Sequence, residues 1–257
     1  MAVNASSVNY WPDSACAKAF WSQHELPPYQ ELLADTRAWL QPLPGQRWLD
    51  LGCGAGQLSR ALWERSQGKL AEVVGVDCAA VNAEAYEKLR AKLRPRPALE
   101  ALRFVAADFS RGLPSWRDAY FDGVVSGLAL QYAEYFSPEQ NAWTSAAYDR
   151  ILAEVQRVLR PCGSFVFSVN VPEPSWGRVA WTAAAGFFRA SKPLRYMQKA
   201  WRIWSYGNWL KREARRGRFH YLPVDAIVKK LGAAGFRDIE HRLSFSRQAY
   251  LLRCRKS

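Results

Sequence analysis

Five short, almost wholly apolar runs, set between amphipathic stretches, limit this chain more than any other feature. They are RWLDLG (47–52), AEVVGVD (71–77), LRFVAAD (102–108), a run inside YFDGVVSGLAL (120–130) and GSFVFSVNV (163–171). None alternates apolar with polar residues, so each is expected to be buried on both faces, as in a parallel sheet covered by helices. The intervening stretches read as those helices. ELLADTRAWLQ follows the helix-starting pair Pro27-Pro28 and is closed by the PLPG turn at 42–45. LSRALWERSQG (58–68) stops at Gly68, and the next helix runs to about Leu93, ended by Pro95 and Pro97. The spacing predicts a long helix from Ser137-Pro138 through SPEQNAWTSAAYDRILAEVQRVLRP, with Glu139 in its first turn. A helix VDAIVKKLGAAG (224–235) and two strands, FRDIEHRLSF (236–245) and RQAYLLRCRK (247–256), close the chain. The last strand lacks clean alternation and is expected to be covered on both sides.

The junction of the first strand and its helix is LDLGCGAG at 49–56. Gly52, Gly54 and Gly56 permit a backbone turn at positive φ and let a ligand approach the main chain, while the helix start offers free N–H groups. A tight turn with no ligand is the plainer alternative. Asp77 ends the second strand, where a carboxylate suits two hydroxyl donors or simply caps the next helix. Asp108 ends the third strand, with bulky Phe109 after it.

The GxGxG spacing, with Asp50 two residues before its first glycine, resembles motif I of the class I S-adenosylmethionine-dependent methyltransferases. FDGVVSGLALQY (121–132) resembles that family's fourth motif. RVLRPCGSFVFS (157–168) resembles its "RVLKPGG" turn, with Cys162 in place of the first glycine. The likeness covers 45–170 and 224–256 and is closest to the small-molecule branch, methyltransferase type 11. It implies one Rossmann-like, doubly wound α/β domain over 1–257, with a seven-stranded sheet ordered 3-2-1-4-5-7-6 and strand seven antiparallel. An N-terminal helical cap (1–44) and an insertion after strand five would complete it. It implies S-adenosyl-L-methionine as cofactor and S-adenosyl-L-homocysteine as product. The implied cofactor contacts are Asp50, Gly52, Cys53, Gly54, Gly56, Asp77 at the ribose, Cys78, Asp108 at the adenine amino group, Phe109 and Ser126. No metal site is expected.

Charge marks out the insertion. Residues 171–222 hold eleven Lys and Arg against two Glu, a net +9 of the chain's +13. They also hold Trp176, Trp181, Trp201, Trp204 and Trp209. Within the segment 172–222, Leu194, Met197, Trp201 and Trp204 would share one helical face beside Arg195, Lys199 and Arg202. That pattern fits a solvated helix, a lid over a hydrophobic or anionic substrate, an anionic membrane surface, a carrier-protein dock or a nucleic-acid groove. Five widely spaced cysteines suit a reducing cytoplasm, and neither a secretory signal nor an apolar run near the ~18 residues of a membrane span is apparent. Methyl transfer chiefly needs alignment, with a base for a weak nucleophile. The candidates for that role or for substrate contact are His220, Tyr221, Tyr132 and His24, whereas His241 reads as a solvent-face residue. The expected reaction is O-, C- or N-methylation of a lipophilic or aromatic small molecule, with oligomeric state open. RNA methylation is an alternative, though SGLAL replaces the N/D-PP-Y/F signature of base-amino enzymes. A malonyl-carrier-protein-type O-methyltransferase and a non-enzymatic cofactor-binding regulator are the others.

Overall fold

The computed structural model describes residues 11, 17–18, 20–21, 23–184 and 207–257. Seven strands form the central sheet: β1 (Arg47–Leu51), β2 (Glu72–Asp77), β3 (Leu102–Ala106), β4 (Phe121–Gly127), β5 (Leu159–Asn170), β6 (Phe236–Ser244) and β7 (Ala249–Lys256). Their order is β3-β2-β1-β4-β5-β7-β6, the expected 3-2-1-4-5-7-6. The first five run parallel, and β7 lies antiparallel between β5 and β6. Leu49 of β1 sits between Val74 and Val124 in register, and all three are fully buried. Being covered on both faces explains why β1, β2 and β4 read as unbroken apolar runs; β3 departs from that expectation, because it is the sheet edge and only Leu102 of it is buried.

Helices α1 (Pro27–Trp39), α2 (Gln57–Arg65), α3 (Asn82–Lys92), α4 (Ala146–Val158), α5 (Trp176–Ala184), α6 (207–215) and α7 (Val224–Ala233) surround the sheet. Ile151, Leu152, Val155 and Val158 of α4 join Ile227 and Leu231 of α7 in one core layer. Leu62 and Trp63 of α2 and Tyr86 of α3 pack in the other, together with Leu40 just beyond α1. A third cluster, with Leu26, Leu32, Trp176, Leu210, Phe219, Tyr221 and Phe245, joins α1, α5 and α6 above the ends of the strands.

One expected element is corrected. The helix predicted from Ser137 begins only at Ala146, because Tyr135–Ser137 and Ala142–Thr144 pair as an antiparallel hairpin. Phe136 and Trp143 face each other across it with ring centroids 5.3 Å apart, and Asn141 takes a left-handed turn conformation at φ +47°. The Ser-Pro-Glu sequence therefore opens a turn between two aromatic β segments, and cross-strand ring packing outweighs the helix-start signal.

β2 and β4 flank β1 on opposite sides, so the chain direction of crossover reverses there. In such sheets the crevice beyond the carboxyl ends of the strands is the place for a ligand.

Candidate functional site

A cavity of about 280 Å³ opens at that crevice. Its near wall is the loop from β1 to α2. Gly52, Gly54 and Gly56 all have positive φ, at +66°, +49° and +79°. Only at Gly54 does the backbone face open space: a Cβ there would meet nothing within 4 Å, whereas one on Gly52 would lie 2.2 Å from the Ala129 Cβ. Gly54 N–H donates to Asp77 Oδ2 at 3.0 Å, and Ala79 N–H donates to Asp77 Oδ1 at 2.9 Å. The carboxylate thus fixes the loop as well as facing the cavity, and burial raises its pKa. Asp108 accepts from Ser110 N–H at 2.9 Å, and Phe109 borders the loop.

Asp50 is 1% exposed. Its Oδ2 accepts from Ser59 N–H at 2.9 Å and Ser59 Oγ–H at 2.8 Å, while Oδ1 has no partner. Burial pushes its pKa up to about 7 against the opposing effect of Ser59. A raised folded-state pKa means that the protonated acid favours folding. That contribution is full below about pH 4, where the unfolded carboxyl is protonated too, and is lost as pH rises through about 7. Asp50→Asn removes the titration, so the parent is expected to lose stability relative to the variant as pH rises across this window. Urea unfolding checks this: a pH-independent difference between the two proteins would show that Asp50 does not titrate abnormally.

The structure brings ten of the sequence-predicted residues to this cavity: Asp50, Gly52, Cys53, Gly54, Asp77, Cys78, Asp108, Phe109, His24 and Tyr132. Four lie off its wall. Ser126 is fully buried and donates to the Leu51 carbonyl at 2.8 Å, tying β4 to β1. Gly56 has α3 against it: a Cβ would lie 2.7 Å from Leu89 Cδ2 and 3.0 Å from the Tyr86 ring, so it serves helix packing. His220 is buried against Tyr148, with ring centroids 5.6 Å apart and Nε2 lacking a partner. Burial also lowers its pKa. Tyr221 stands behind Tyr132, hydroxyl to hydroxyl at 3.1 Å. His241 is exposed on β6, and the face Leu194, Met197, Trp201, Trp204 with its basic flank Arg195, Lys199, Arg202 lies outside the described residues.

Several lining residues were not anticipated. Trp11, Phe20 and Trp21 come from the N-terminal segment, Tyr29, Leu32, Leu33 and Thr36 from α1, and Trp176 and Leu210 from the insertion. Trp21 Nε1–H donates to Asn82 Oδ1 at 2.7 Å, which pins the N-terminal segment across the start of α3. Asn170 also lines the cavity; it ends β5, and a polar residue at the carboxyl end of an apolar parallel strand was its available signal.

Residues 49–167 match the family model of a methyltransferase domain. Among solved structures, a chain of the complex between the Haloferax volcanii Trm112 methyltransferase activator and a methyltransferase superposes with TM-score 0.59 at 18% identity, covering 95% of each chain. A SAM-dependent methyltransferase from Aquifex aeolicus gives 0.57 at 14% identity over 95% of this chain and 98% of its own. The N-methyltransferase NodS from Bradyrhizobium japonicum WM9, in complex with S-adenosyl-L-homocysteine, gives 0.56 at 12% identity over 92% and 91%. These likenesses establish the fold. No curated protein matches the sequence.

Proposed function

We propose that the chain, whose residues 49–167 match the methyltransferase-domain model, is a class I S-adenosylmethionine-dependent methyltransferase with a lipophilic, aromatic small molecule as its acceptor. The observation that carries this reading is the second half of the cavity. Beyond the glycine loop and its acids, the wall includes Trp11, Leu32, Leu33, Leu128, Trp176 and Leu210, with Tyr29, Thr36, Tyr132, Ser168 and Asn170 as the polar points between them. Such a lining suits a flat apolar ligand and offers little to a polar polymer.

The residues at the strand ends fit the cofactor. Gly54 presents bare backbone to the cavity, and Asp50 has an unsatisfied carboxylate oxygen. Asp77 would hold the ribose hydroxyls and Asp108 the adenine amino group, with Phe109 and Cys78 as apolar cover. Bound there, S-adenosylmethionine supplies an electrophilic methyl group on a sulfonium. The chain's own task is then to align the acceptor and keep water out. Trp176 and Leu210 come from segment 172–222, and their place on the wall supports reading that segment as a lid.

Where the acceptor must lose a proton, His24 is the group at the cavity able to take it. Its Nδ1 lies 2.9 Å from the Trp21 carbonyl and 3.3 Å from the Gln57 amide nitrogen; with Nδ1–H donating to the carbonyl, Nε2 is the accepting atom of the ring. The buried Tyr132 phenol, with its raised pKa, stays protonated and serves as a donor.

An acceptor screen scored by S-adenosyl-L-homocysteine release tests this function. Phenols, quinols and aromatic amines on naphthalene-sized bodies are expected to turn over. Turnover confined to RNA or to a protein acceptor sinks the reading.

A further inference from the structure

The acceptor end of the cavity contains a small polar centre in otherwise apolar surroundings. Tyr29 and Tyr132 both line the wall and pack against the same apolar cluster. Asn170 Nδ2–H donates to the Tyr132 hydroxyl oxygen at 3.3 Å, and the Tyr221 hydroxyl lies 3.1 Å from the same atom. Asn170 is 1% exposed, and its Oδ1 has no partner. The Tyr29 hydroxyl makes no hydrogen bond among the described residues, although its ring is packed edge-on against Phe245 with centroids 4.6 Å apart.

Counting protons shows what is missing. Tyr132 and Tyr221 have two phenolic protons and share one hydrogen bond, so one O–H is left over. When Tyr221 donates to Tyr132, the Tyr132 oxygen already accepts from Asn170 and Tyr221, and its own proton is free to point into the cavity. Tyr29 brings a second free O–H on the same wall. Two phenol protons on one wall of a largely apolar cavity, neither donating to the protein in this arrangement, suit a ligand oxygen that takes both.

We propose that Tyr29 and Tyr132 form a two-point donor site for a carbonyl or phenolic oxygen of the acceptor. This rests on the small-molecule reading above and narrows it. Accepting two hydrogen bonds withdraws electron density from the held oxygen. That oxygen is therefore the handle, and a different atom of the same molecule is turned towards the methyl donor. The substrate class is an aromatic body carrying at least two functional positions. Tyr29 and Tyr132 are positioning residues, with Asn170 and Tyr221 fixing the direction of the Tyr132 proton.

The test uses a matched pair of probes, 2-acetylnaphthalene and 2-isopropylnaphthalene, which differ in one oxygen at nearly constant shape. Binding is measured by calorimetry with S-adenosyl-L-homocysteine present. The ketone is expected to bind the parent about tenfold more tightly, in line with one to two net hydrogen bonds. That preference is expected to vanish in Tyr29→Phe with Tyr132→Phe, while the affinity for S-adenosyl-L-homocysteine stays unchanged. Tyr29→Phe alone breaks no hydrogen bond of the protein, so it supplies the test if the double variant fails to fold, with the preference at least halved. Equal binding of the two probes to the parent, or an undiminished preference in the folded variants, overturns the handle and leaves the apolar chamber standing. Failure of both probes to bind a parent that holds S-adenosyl-L-homocysteine overturns the chamber reading and the handle together.

Discussion

Gly54→Val is expected to abolish cofactor binding in a protein that still folds. The two glycines nearest to Gly54 in the loop cannot separate binding from folding. A side chain on Gly52 would collide with Ala129, and one on Gly56 with Leu89 and Tyr86, so the loop must shift with or without a ligand. At Gly54 the protein itself offers no obstacle, and the new side chain would enter the cavity. The remaining cost is conformational: φ is +49°, and a β-branched residue there is strained by about 1–2 kcal/mol, which a domain of ordinary stability tolerates. The expected loss in affinity for S-adenosyl-L-homocysteine is at least about a hundredfold, or roughly 2.7 kcal/mol. Gly54→Ala should fall between parent and valine. Calorimetry on a variant with a cooperative melt decides the matter, and parent-like affinity there would mean that the cofactor does not run along this loop.

The central sheet was legible because doubly buried parallel strands are written as apolar runs of strand length; β1, β2, β4 and β5 are of that kind, while β3, at the sheet edge, is an apolar run only partly covered. The glycine loop, Asp77 and Asp108 were legible for a related reason. They are the polar or glycine residues that end those runs, and strand ends are where such sheets bind ligands. The acceptor half had no comparable signature. Trp11 and Tyr29 precede the first strand, Leu128 follows β4, Asn170 ends β5, and Trp176 and Leu210 lie beyond it. No spacing in the chain relates these positions, and only the packing of α1, α5 and α6 above the sheet brings them together. His220 was misplaced for the converse reason. Its neighbour Tyr221 contacts the cavity-lining Tyr132, but the next residue back along the chain turns away and packs against Tyr148. The hairpin at 135–144 escaped notice because its helix-start signal is local, while the Phe136–Trp143 contact that overrides it spans the turn.

That hairpin also takes part in the ion-pair network on which the largest stability effect is expected. Arg218 is 6% exposed, and its guanidinium grips Glu134 with Nε–Oε2 at 2.5 Å and Nη2–Oε1 at 3.2 Å. Glu213 lies at 3.5 Å on the other side, and the Trp143 ring lies beneath, 4.9 Å from the guanidinium carbon. The side chains of both acids are nearly as buried, at 9% and 11%. These contacts hold the Arg218 pKa above its ordinary value despite burial. Arg218→Ala would leave the buried Glu134 carboxylate without its cation, while Glu213 keeps Arg216 at 2.9 Å, a loss of about 3–5 kcal/mol at neutral pH. The sign of the pH dependence follows. A buried carboxylate that has lost its cation is relieved of its charge on protonation, so part of the loss should be recovered as pH falls. Arg218→Met with Glu134→Gln, which removes charge from both partners, should be much less damaging than Arg218→Ala alone. Because Phe219 and Tyr221 follow directly and Tyr221 touches Tyr132, the acceptor side should loosen while the glycine loop is unaffected. Acceptor KM should therefore rise at constant affinity for S-adenosyl-L-homocysteine. Denaturant unfolding of Arg218→Ala at neutral pH measures the main effect. A loss under about 1 kcal/mol would show that water, reaching Glu134, replaces what the arginine provides.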